Sequence, residues 1–245
     1  MRAMVLAAGL GTRLRPLTDD RPKALVEVAG RTMLEIALGQ LQASGVREAV
    51  VNTHHYAEMV ENFLRAHRNF GMQIEVSREA VLLDTGGGLK KAAAFFLEEP
   101  DEPFVLHNVD VISTIDLAEM ARRHKVSGAL ATLAVKERES SRLLLFDEAG
   151  ELCGKQAGRD GAMELVRPAN KTHARAFCGI HVISPRIFEK LSEEGAFPIV
   201  PTYLRLAAQG ERVVAFEAEP AYWRDLGKPS SVRHAENDFK NGLWH

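Results

Sequence analysis

The chain has little cysteine, no long apolar run and almost no net charge, and each shortage excludes a class of protein. Only two cysteines occur among its 245 residues, Cys153 and Cys178, and their spacing matches neither a Cys-x-x-Cys motif nor another metal site. We expect both to be reduced thiols in a cytoplasmic protein. No uninterrupted apolar run approaches the roughly 18 residues of a membrane helix, and residues 1–8 lack the features of a signal peptide. We therefore expect no membrane span.

The charge balance favours small ligands over nucleic acid. The formal net charge is -2, with 26% charged and 46% hydrophobic residues, so the chain has enough apolar surface for a sizeable core. Binding of nucleic acid through a broad basic field is not expected from this balance. A small anionic substrate in a local basic pocket is compatible with it. The sequence also has no internal repeat and no low-complexity segment.

Apolar periodicity predicts strands and helices in alternation. Leu34, Ala37, Leu38 and Leu41 have the i, i+3, i+4, i+7 spacing of a helix that ends near Gly45. Strands are predicted at residues 47–52, 73–77, 103–111, 129–135, 177–183 and 212–217, and helices at 56–67, 117–124, 187–191, 199–209 and from about 229. Such alternation implies parallel strands joined by right-handed crossovers. We predict an α/β fold, a Rossmann-like three-layer α/β/α sandwich with a mostly parallel, mixed central sheet.

Residues 137–176 depart from this pattern. They contain short apolar runs separated by charged residues and glycines, which predicts short strands and turns. We interpret this part as a small β-rich insertion over the edge of the sheet, on the side of the substrate. The whole chain, 1–245, is then one domain.

The first strand runs into a loop that is rich in glycine and arginine. Gly9 and Gly11 would let backbone N–H groups approach an anion, which Arg13, Arg15 and Lys23 also reach. Backbone donors, a bidentate arginine and a lysine suit the charges of a triphosphate. The alternative is a solvated loop with scattered basic residues.

This loop differs from two common nucleotide-binding motifs. It lacks the G-x-x-x-x-G-K-[ST] sequence of P-loop proteins, and Leu14 occupies the third glycine position of the dinucleotide fingerprint. Neither a Walker-type ATPase nor a Rossmann dehydrogenase is therefore expected.

Two later stretches carry further candidate residues. Gly86, Gly87 and Gly88 begin a predicted helix that extends to about residue 99, although each glycine in a helix costs roughly 1 kcal/mol against alanine. We interpret them as room for a ribose or a base; the alternative is close packing at the start of a helix. Asp110 follows a buried strand, at the end where ligands bind to open α/β sheets. A turn or a helix cap is the alternative there.

These stretches resemble a known family. Leu6-Ala-Ala-Gly-Leu-Gly-Thr-Arg13-Leu, with Pro22-Lys23, is similar to the signature of the nucleotidyltransferases that make nucleoside-diphosphate sugars from an NTP and a sugar 1-phosphate. The resemblance continues in the family's order through Asp84-Thr-Gly-Gly-Gly, Asn108-Val-Asp110, Phe177-Cys-Gly179-Ile and Trp223-Arg-Asp225-Leu-Gly227. The short chain looks most like the single-domain N-acetylmuramate 1-phosphate uridylyltransferases and the mannose 1-phosphate guanylyltransferase-like enzymes. We expect no β-helix or acyltransferase domain after residue 245.

The resemblance implies a role for each of these residues. Nucleotide-binding groups would be Leu6, Ala8, Gly9, Gly11, Thr12, Arg13, Glu79, Thr85, Gly86, Gly87 and Asn108. Among them, Gly11, Thr12 and Arg13 would bind the β- and γ-phosphates. Asp110 and Asp225 would hold Mg²⁺, and a set of four residues would contact the substrate, namely Lys23, Asn108, Gly179 and Asp225.

The implied reaction is Mg²⁺-dependent nucleotidyl transfer to a sugar 1-phosphate, with release of pyrophosphate. Arg13, Lys23 and Asp110 would be the catalytic residues. We expect UTP or GTP as the nucleotide, no nucleic-acid or membrane partner, and a monomer or homodimer. Two alternatives remain open, a nucleotidyltransferase for a non-sugar phosphate and a non-catalytic regulator that binds nucleotide sugars.

Other conspicuous residues have ordinary structural explanations. The pair His54-His55 suits a loop, His107 a packed neutral histidine, and Cys178 an apolar strand in the core. The chain lacks the family's Glu-Lys-Pro sugar-binding segment, and it has Asn108-Val-Asp110 where relatives often have Gly-Asp. For that reason we name no sugar-contacting residue within the insertion.

Overall fold

The computed structural model describes residues 1–245 and contains fourteen strands. Their bounds are β1 Arg2–Leu6, β2 Glu27–Val28, β3 Arg31–Thr32, β4 Glu48–Thr53, β5 Gln73–Arg78, β6 Phe104–Asn108, β7 Val111–Ser113, β8 Ala131–Lys136, β9 Leu143–Phe146, β10 Leu152–Gln156, β11 Met163–Leu165, β12 His173–Ile183, β13 Val213–Glu217 and β14 Trp223–Asp225.

Seven α-helices connect these strands. Their bounds are α1 Met33–Ala43, α2 Ala57–Ala66, α3 Asp84–Lys91, α4 Ala93–Leu97, α5 Leu117–Ser127, α6 Ile199–Ala208 and α7 Pro229–Lys240. Short 3-10 helices are found at Thr12–Leu14, Lys23–Leu25, Arg68–Gly71 and Pro185–Lys190. No helix is both long enough and apolar enough to cross a membrane.

The central sheet is mixed and mostly parallel, as predicted. Its strands are arranged in the order β13, β8, β12, β6, β1, β4, β5. β1 pairs in parallel with both β4 and β6, whereas β12 runs antiparallel to its neighbours β6 and β8. β1, β6 and β8 therefore end at the same edge of the sheet.

Helices cover both faces of this sheet and complete the predicted three layers. Alternate residues of β1 enter opposite cores: Ala3 and Val5 pack with α1, α2, α5 and α7, while Met4 packs with α3, α4 and α6. A strand buried on both faces reads as a continuous apolar run, which explains the composition of β1.

Local signals fix the helix ends. The Thr32 side chain accepts a hydrogen bond from the Glu35 N–H at 3.1 Å and caps α1. Asp116 does the same for α5 through the Glu119 N–H, and Gly128 ends that helix in the left-handed conformation at φ 62°.

Three predicted elements differ in type or continuity from those observed. The helix predicted from the triple glycine to residue 99 breaks at Ala92 into α3 and α4, because α3 packs against the 195–199 loop while Phe96 of α4 stacks on Phe104 at 3.9 Å. The strand predicted at 103–111 turns at residues 109–110, which separates β6 from β7. The helix predicted at 187–191 is a 3-10 turn.

β12 is longer than predicted and connects two parts of the protein. The expected end of the β-rich segment at residue 176 falls inside this strand. Its first residues pair with β9, which continues through β10 to β11, and its later residues lie between β6 and β8. The strand register shifts between Phe177 and His181, around Gly179.

Candidate active site

The loop after β1 presents unpaired backbone donors at the carboxyl edge of the sheet. The N–H groups of Ala8, Gly9, Leu10 and Gly11 donate no hydrogen bond within the chain. Gly11 has φ 65°, and a Cβ at Gly9 would meet nothing within 4 Å. Thr12 and Arg13 follow in an exposed 3-10 helix. Consecutive free N–H groups of this kind form a cradle for an anion.

Lys23 and Asp110 form an ion pair beside this loop. Pro22 precedes the 3-10 helix that begins at Lys23, and the ammonium Nζ contacts Asp110 Oδ2. Both side chains are largely buried, with 14% and 11% of their surface exposed. The Val109 N–H donates to the Leu6 carbonyl at 3.2 Å, so the turn that carries Asp110 is attached to the end of β1.

Asp110 and Asp225 come together, as predicted, although 115 positions separate them. β14 pairs antiparallel with β7 so that Asp225 faces Val111, and the Leu226 N–H donates to the Asp110 carbonyl at 2.8 Å. Asp225 Oδ1 accepts the Gly227 N–H at 2.8 Å. The Arg13 guanidinium lies beside Gly227 as well, since a Cβ there would meet Asp225 Oδ1 at 2.7 Å and Arg13 Nη2 at 3.0 Å.

Asn108 and Gly179 are also adjacent. Gly179 has φ 75°, and a Cβ there would come closer than 3.0 Å to Asn108 Nδ2. The two predicted substrate-side residues thus lie side by side at the ends of β6 and within β12, next to Asp110.

The triple glycine requires a correction of our interpretation. A Cβ at Gly86 would clash with the Phe197 ring, and one at Gly87 would clash with the Gly195 carbonyl. The Gly86 and Gly87 N–H groups both donate to the Phe197 carbonyl, at 2.8 and 3.2 Å. The room that these glycines leave is filled by the chain itself, so close packing, the alternative that we considered, explains them.

Thr85 and Glu79 are also engaged within the chain. The Thr85 hydroxyl accepts the Ile199 N–H at 2.9 Å. Glu79 is 4% exposed, and its carboxylate accepts hydrogen bonds from Asn52 Nδ2 at 2.7 Å and from the Leu83 N–H at 2.9 Å. These contacts make both residues supports of the 79–88 segment.

Asn52 is a site residue that our sequence reasoning missed. It is 2% exposed, its Oδ1 accepts the Ala7 N–H at 2.7 Å, and its Nδ2 donates to Glu79. It therefore joins the loop after β1 to the segment before α3. The available signal was a polar residue at the end of the predicted strand 47–52, at the same edge as Asp110.

The histidines and cysteines have the ordinary roles expected of them. Burial lowers the pKa of His107 to about 4 and raises that of Cys178 to about 12, so both side chains are neutral. Cys153 is a free thiol like Cys178. His54 Nδ1 lies 2.9 Å from the Glu79 carbonyl, a loop contact.

No group of three or more His, Cys, Asp or Glu residues is arranged to hold a metal ion. Asp110 and Asp225 provide two carboxylates on neighbouring backbones, and the Asp225 carboxylate is exposed. Two carboxylates suit a magnesium ion that takes its other ligands from phosphate and water. The residues present therefore fit such an ion bound together with a nucleotide.

Comparisons with known proteins show which proteins the chain is similar to. The family model for nucleotidyl transferases matches residues 2–242. An N-acetylmuramate alpha-1-phosphate uridylyltransferase of Caulobacter vibrioides is 36% identical over 243 residues, which cover 96% of this chain and 95% of the relative. A mannose-1-phosphate guanyltransferase of Yarrowia lipolytica is 32% identical over 231 residues, which cover 94% of this chain but 61% of that relative.

Solved structures share the fold. HddC from Yersinia pseudotuberculosis, complexed with GMP-PN, superposes with a TM-score of 0.76 at 21% identity and covers 97% of this chain and 99% of its own. A UDP-glucose pyrophosphorylase complexed with UDP-glucose gives 0.77 at 19% identity and covers 98% of each chain. Since the family model and the Caulobacter relative both span nearly the whole sequence, the chain belongs to the nucleotidyl transferase family, among the sugar 1-phosphate nucleotidyltransferases.

Proposed function

We propose that the protein transfers a nucleotidyl group from an NTP to a sugar 1-phosphate and releases pyrophosphate. The observation that carries this proposal is the loop of free N–H groups at 8–11, which opens beside the Lys23–Asp110 pair and Asp225. A phosphate chain held by that loop would place its α-phosphorus near the two carboxylates.

The residues support direct transfer between phosphates. A sugar phosphate is already ionised near pH 7, so its oxygen can attack the α-phosphorus in line without a general base. The buried His107, with its pKa lowered to about 4, is no candidate for such a base. Lys23 and Arg13 would position the phosphates and neutralise their charge, with Gly11 and Thr12 beside them.

Nucleotidyltransferases of this family generally use a divalent metal ion. We assign Mg²⁺ to Asp110 and Asp225, whose oxygen ligands suit it. When bound, it would neutralise charge on the triphosphate and on the departing pyrophosphate. Lys23 holds the Asp110 carboxylate in place meanwhile.

The other ligand contacts follow from position. In this proposal Leu6, Ala8 and Gly9 face the nucleoside, together with the exposed Val81 and Leu82 ahead of α3. Thr85, Gly86 and Gly87 act only by holding that segment. The acceptor sugar lies toward Asn108 and Gly179, with the β-rich residues 137–176 beyond them.

We favour UTP and an amino-sugar 1-phosphate as the substrate pair. The support is the 36% identity with the Caulobacter uridylyltransferase over nearly the full length of both chains. GTP with mannose 1-phosphate is the second pair, supported by the Yarrowia relative. We keep a monomer or homodimer as the expected assembly.

Pyrophosphate release tests this function. Purified protein is assayed with Mg²⁺ and each of the four NTPs against a panel of sugar 1-phosphates, with phosphocholine and an alditol phosphate as non-sugar acceptors. We expect turnover with sugar 1-phosphates, greatest with UTP. Turnover with the non-sugar phosphates alone would reassign the acceptor class. If no acceptor in the panel gave pyrophosphate release, the enzyme assignment would be contradicted in favour of a binding protein.

A second arm tests the roles of the site residues. Asp110→Asn and Lys23→Met should each lower kcat by about 10²–10³-fold, the range for removal of one preorganised electrostatic group. Lys240→Met, an exposed lysine on α7, is the matched control and should retain wild-type turnover. Wild-type rates in Asp110→Asn would contradict the assignment of this carboxylate.

A further inference from the structure

Arg138 lies beyond the groups that the proposed function uses. It follows β8, whose carboxyl end is at the same sheet edge as those of β1 and β6. Its guanidinium lies over the Trp223 ring at 4.1 Å from the centroid. Nη2 donates to the Phe177 carbonyl at 2.9 Å and Nη1 to the Glu139 carbonyl at 3.2 Å. These contacts hold the guanidinium plane in one orientation.

This cation has unused hydrogen-bonding capacity. Its Nε is buried and has no acceptor, and its two Nη atoms donate only to backbone carbonyls. Burial lowers the pKa of Arg138, while the negative charge of Asp225 opposes that effect. A buried N–H without an acceptor costs about 1–3 kcal/mol; this donor and the second N–H of each Nη are the hydrogen-bonding capacity that the chain leaves unused.

Trp223, on which Arg138 stacks, connects it to Asp225, one of the two carboxylates that we assign to Mg²⁺. Trp223 and Asp225 are two positions apart on β14, so their side chains lie on the same face of that strand. The Trp223 indole N–H donates to the Cys178 carbonyl at 2.7 Å, next to Gly179. The guanidinium over Trp223 therefore lies on the Asp225 side of the strand, near the Asn108–Gly179 contact.

The position of Arg138 excludes the triphosphate cradle as its target. The sheet order β1, β6, β12, β8 puts three strand spacings, about 14 Å, between the loop after β1 and the end of β8. Asp110 and Asp225 lie between them. Arg138 also lines a cleft of about 720 Å³ that the β-rich residues enclose, with Glu137, Ser141, Arg159 and His173 among its walls.

We propose that Arg138 binds an anionic oxygen group of the acceptor, either the phosphate of the sugar 1-phosphate or a carboxylate on its sugar. This inference rests on the proposed function. A planar guanidinium with free donors matches both anions through paired hydrogen bonds. The stacked Trp223 holds the guanidinium plane in one orientation, so the Arg138 donors are already positioned before the acceptor binds.

The test is a comparison of Michaelis constants between Arg138→Met and the wild type. UTP and N-acetylmuramate 1-phosphate, which carries a carboxylate, form one pair; UTP and N-acetylglucosamine 1-phosphate, which lacks it, form the other. Arg142→Met, an exposed arginine immediately before β9, is the matched control. Thermal unfolding of each variant reports the fold.

We expect the KM for the acceptor to rise at least tenfold in Arg138→Met, with the KM for UTP within twofold of the wild type. A rise for both acceptors identifies the phosphate as the bound group, and a rise confined to N-acetylmuramate 1-phosphate identifies the carboxylate. Arg138→Lys retains the charge but not the planar pair of donors, so it should give a smaller rise in the acceptor KM. It replaces the methionine variant in the test if that variant unfolds.

An unchanged acceptor KM, or an equal rise for UTP, would overturn the inference, since a merely structural arginine would not separate the two substrates. The wild-type rate in the same assay decides the proposed function separately. Turnover by the wild type with no effect of Arg138→Met leaves that function intact and removes only the role of Arg138.

Discussion

Two glycine-bearing segments follow strands of the same sheet and lead into helices, yet they are used in opposite ways. In the loop at 8–11 the backbone N–H groups are free and the space beside Gly9 is open. In the segment at 84–88 the Gly86 and Gly87 N–H groups are bonded to Phe197, and the chain fills the space beside each glycine. We call them the open loop and the sealed segment.

The difference teaches how a run of glycines should be interpreted. The stability cost of consecutive glycines implies that some group approaches the backbone closely. It does not tell whether that group belongs to a ligand or to another part of the chain. In the sealed segment, the groups that approach Gly86 and Gly87 belong to residues more than a hundred positions later in the sequence. Free N–H groups, rather than glycine itself, are the reason that we propose the open loop as the anion site.

Asn52→Ala should have the largest effect, because this side chain supports both segments at once. The change leaves the Ala7 N–H and one oxygen of the buried Glu79 carboxylate without a partner, and we expect a loss of about 3 kcal/mol in the free energy of unfolding. Urea denaturation measures it. Asn62→Ala, at an exposed position on α2, is the control; a loss below 1 kcal/mol at Asn52 would mean that the two segments are not joined through it.

Gly87→Ala tests the sealed segment. Alanine would gain roughly 1 kcal/mol in helix propensity, but its Cβ would clash with the Gly195 backbone carbonyl, which has little freedom to move. We expect net destabilisation of about 2 kcal/mol. Gly39→Ala on α1 is the matched control, since its Cβ would meet only the end of the Arg31 side chain, at 3.3 Å, and it should not destabilise. If Gly87→Ala were as stable as the wild type, the Gly195 backbone would be able to move away from α3, contrary to this interpretation.

Gly9→Ala tests the open loop. Its φ is not in the left-handed region and nothing lies within 4 Å of a Cβ, so stability should stay within about 0.5 kcal/mol of the wild type. The methyl group would project where we place the nucleotide, and the KM for the NTP should rise about tenfold, or 1.4 kcal/mol. Steady-state kinetics and a melting curve on the same sample separate the two effects. Loss of stability without a change in KM would contradict the distinction between the segments.

His124→Gln tests how much of the pH dependence of stability comes from a histidine outside both segments. His124 on α5 bonds to Thr132 and Ser184 and to neither segment, and burial lowers its pKa to about 4. Between pH 7 and pH 6 the unfolded chain binds protons at this histidine and the folded chain does not, so stability falls as the pH falls. The variant should reduce that fall by about 0.7 kcal/mol, as measured by urea titrations at both pH values. An identical fall in both proteins would mean that His124 titrates normally when folded.

Much of the fold followed from local patterns in the sequence. The alternation of strands and helices, the strand that delivers Asp110 and the helical spacing from Leu34 to Leu41 depend on neighbours within a few residues. The meeting of Asp110 with Asp225 was expected from the rule that strand ends gather at one sheet edge and from the family resemblance. The break at Ala92 was not, because it depends on two separate packing partners for α3 and α4.

The site was harder to predict where contacts are distant in sequence. Asn52 acts through residues 45 positions before it and 27 after it, and no local pattern reports such a link. Arg138 lies in a charged stretch whose composition suggests only a solvated loop. Its stack on Trp223, 85 positions later, becomes visible only when β12 and β14 are in place.

The topology of β12 also bears on how such proteins diverge. The chain leaves the central sheet after Lys136 and rejoins it through the second half of β12; the residues between these points pair with the first half of β12 through β9 and touch β13 at the Glu151–Val214 bridge. Of the strands in the order β13, β8, β12, β6, β1, β4, β5, only the first residues of β12 lie in this stretch, so that order does not depend on its length. Under the proposed function, a lineage could therefore exchange its acceptor-facing surface for another while inheriting the nucleotide-facing half.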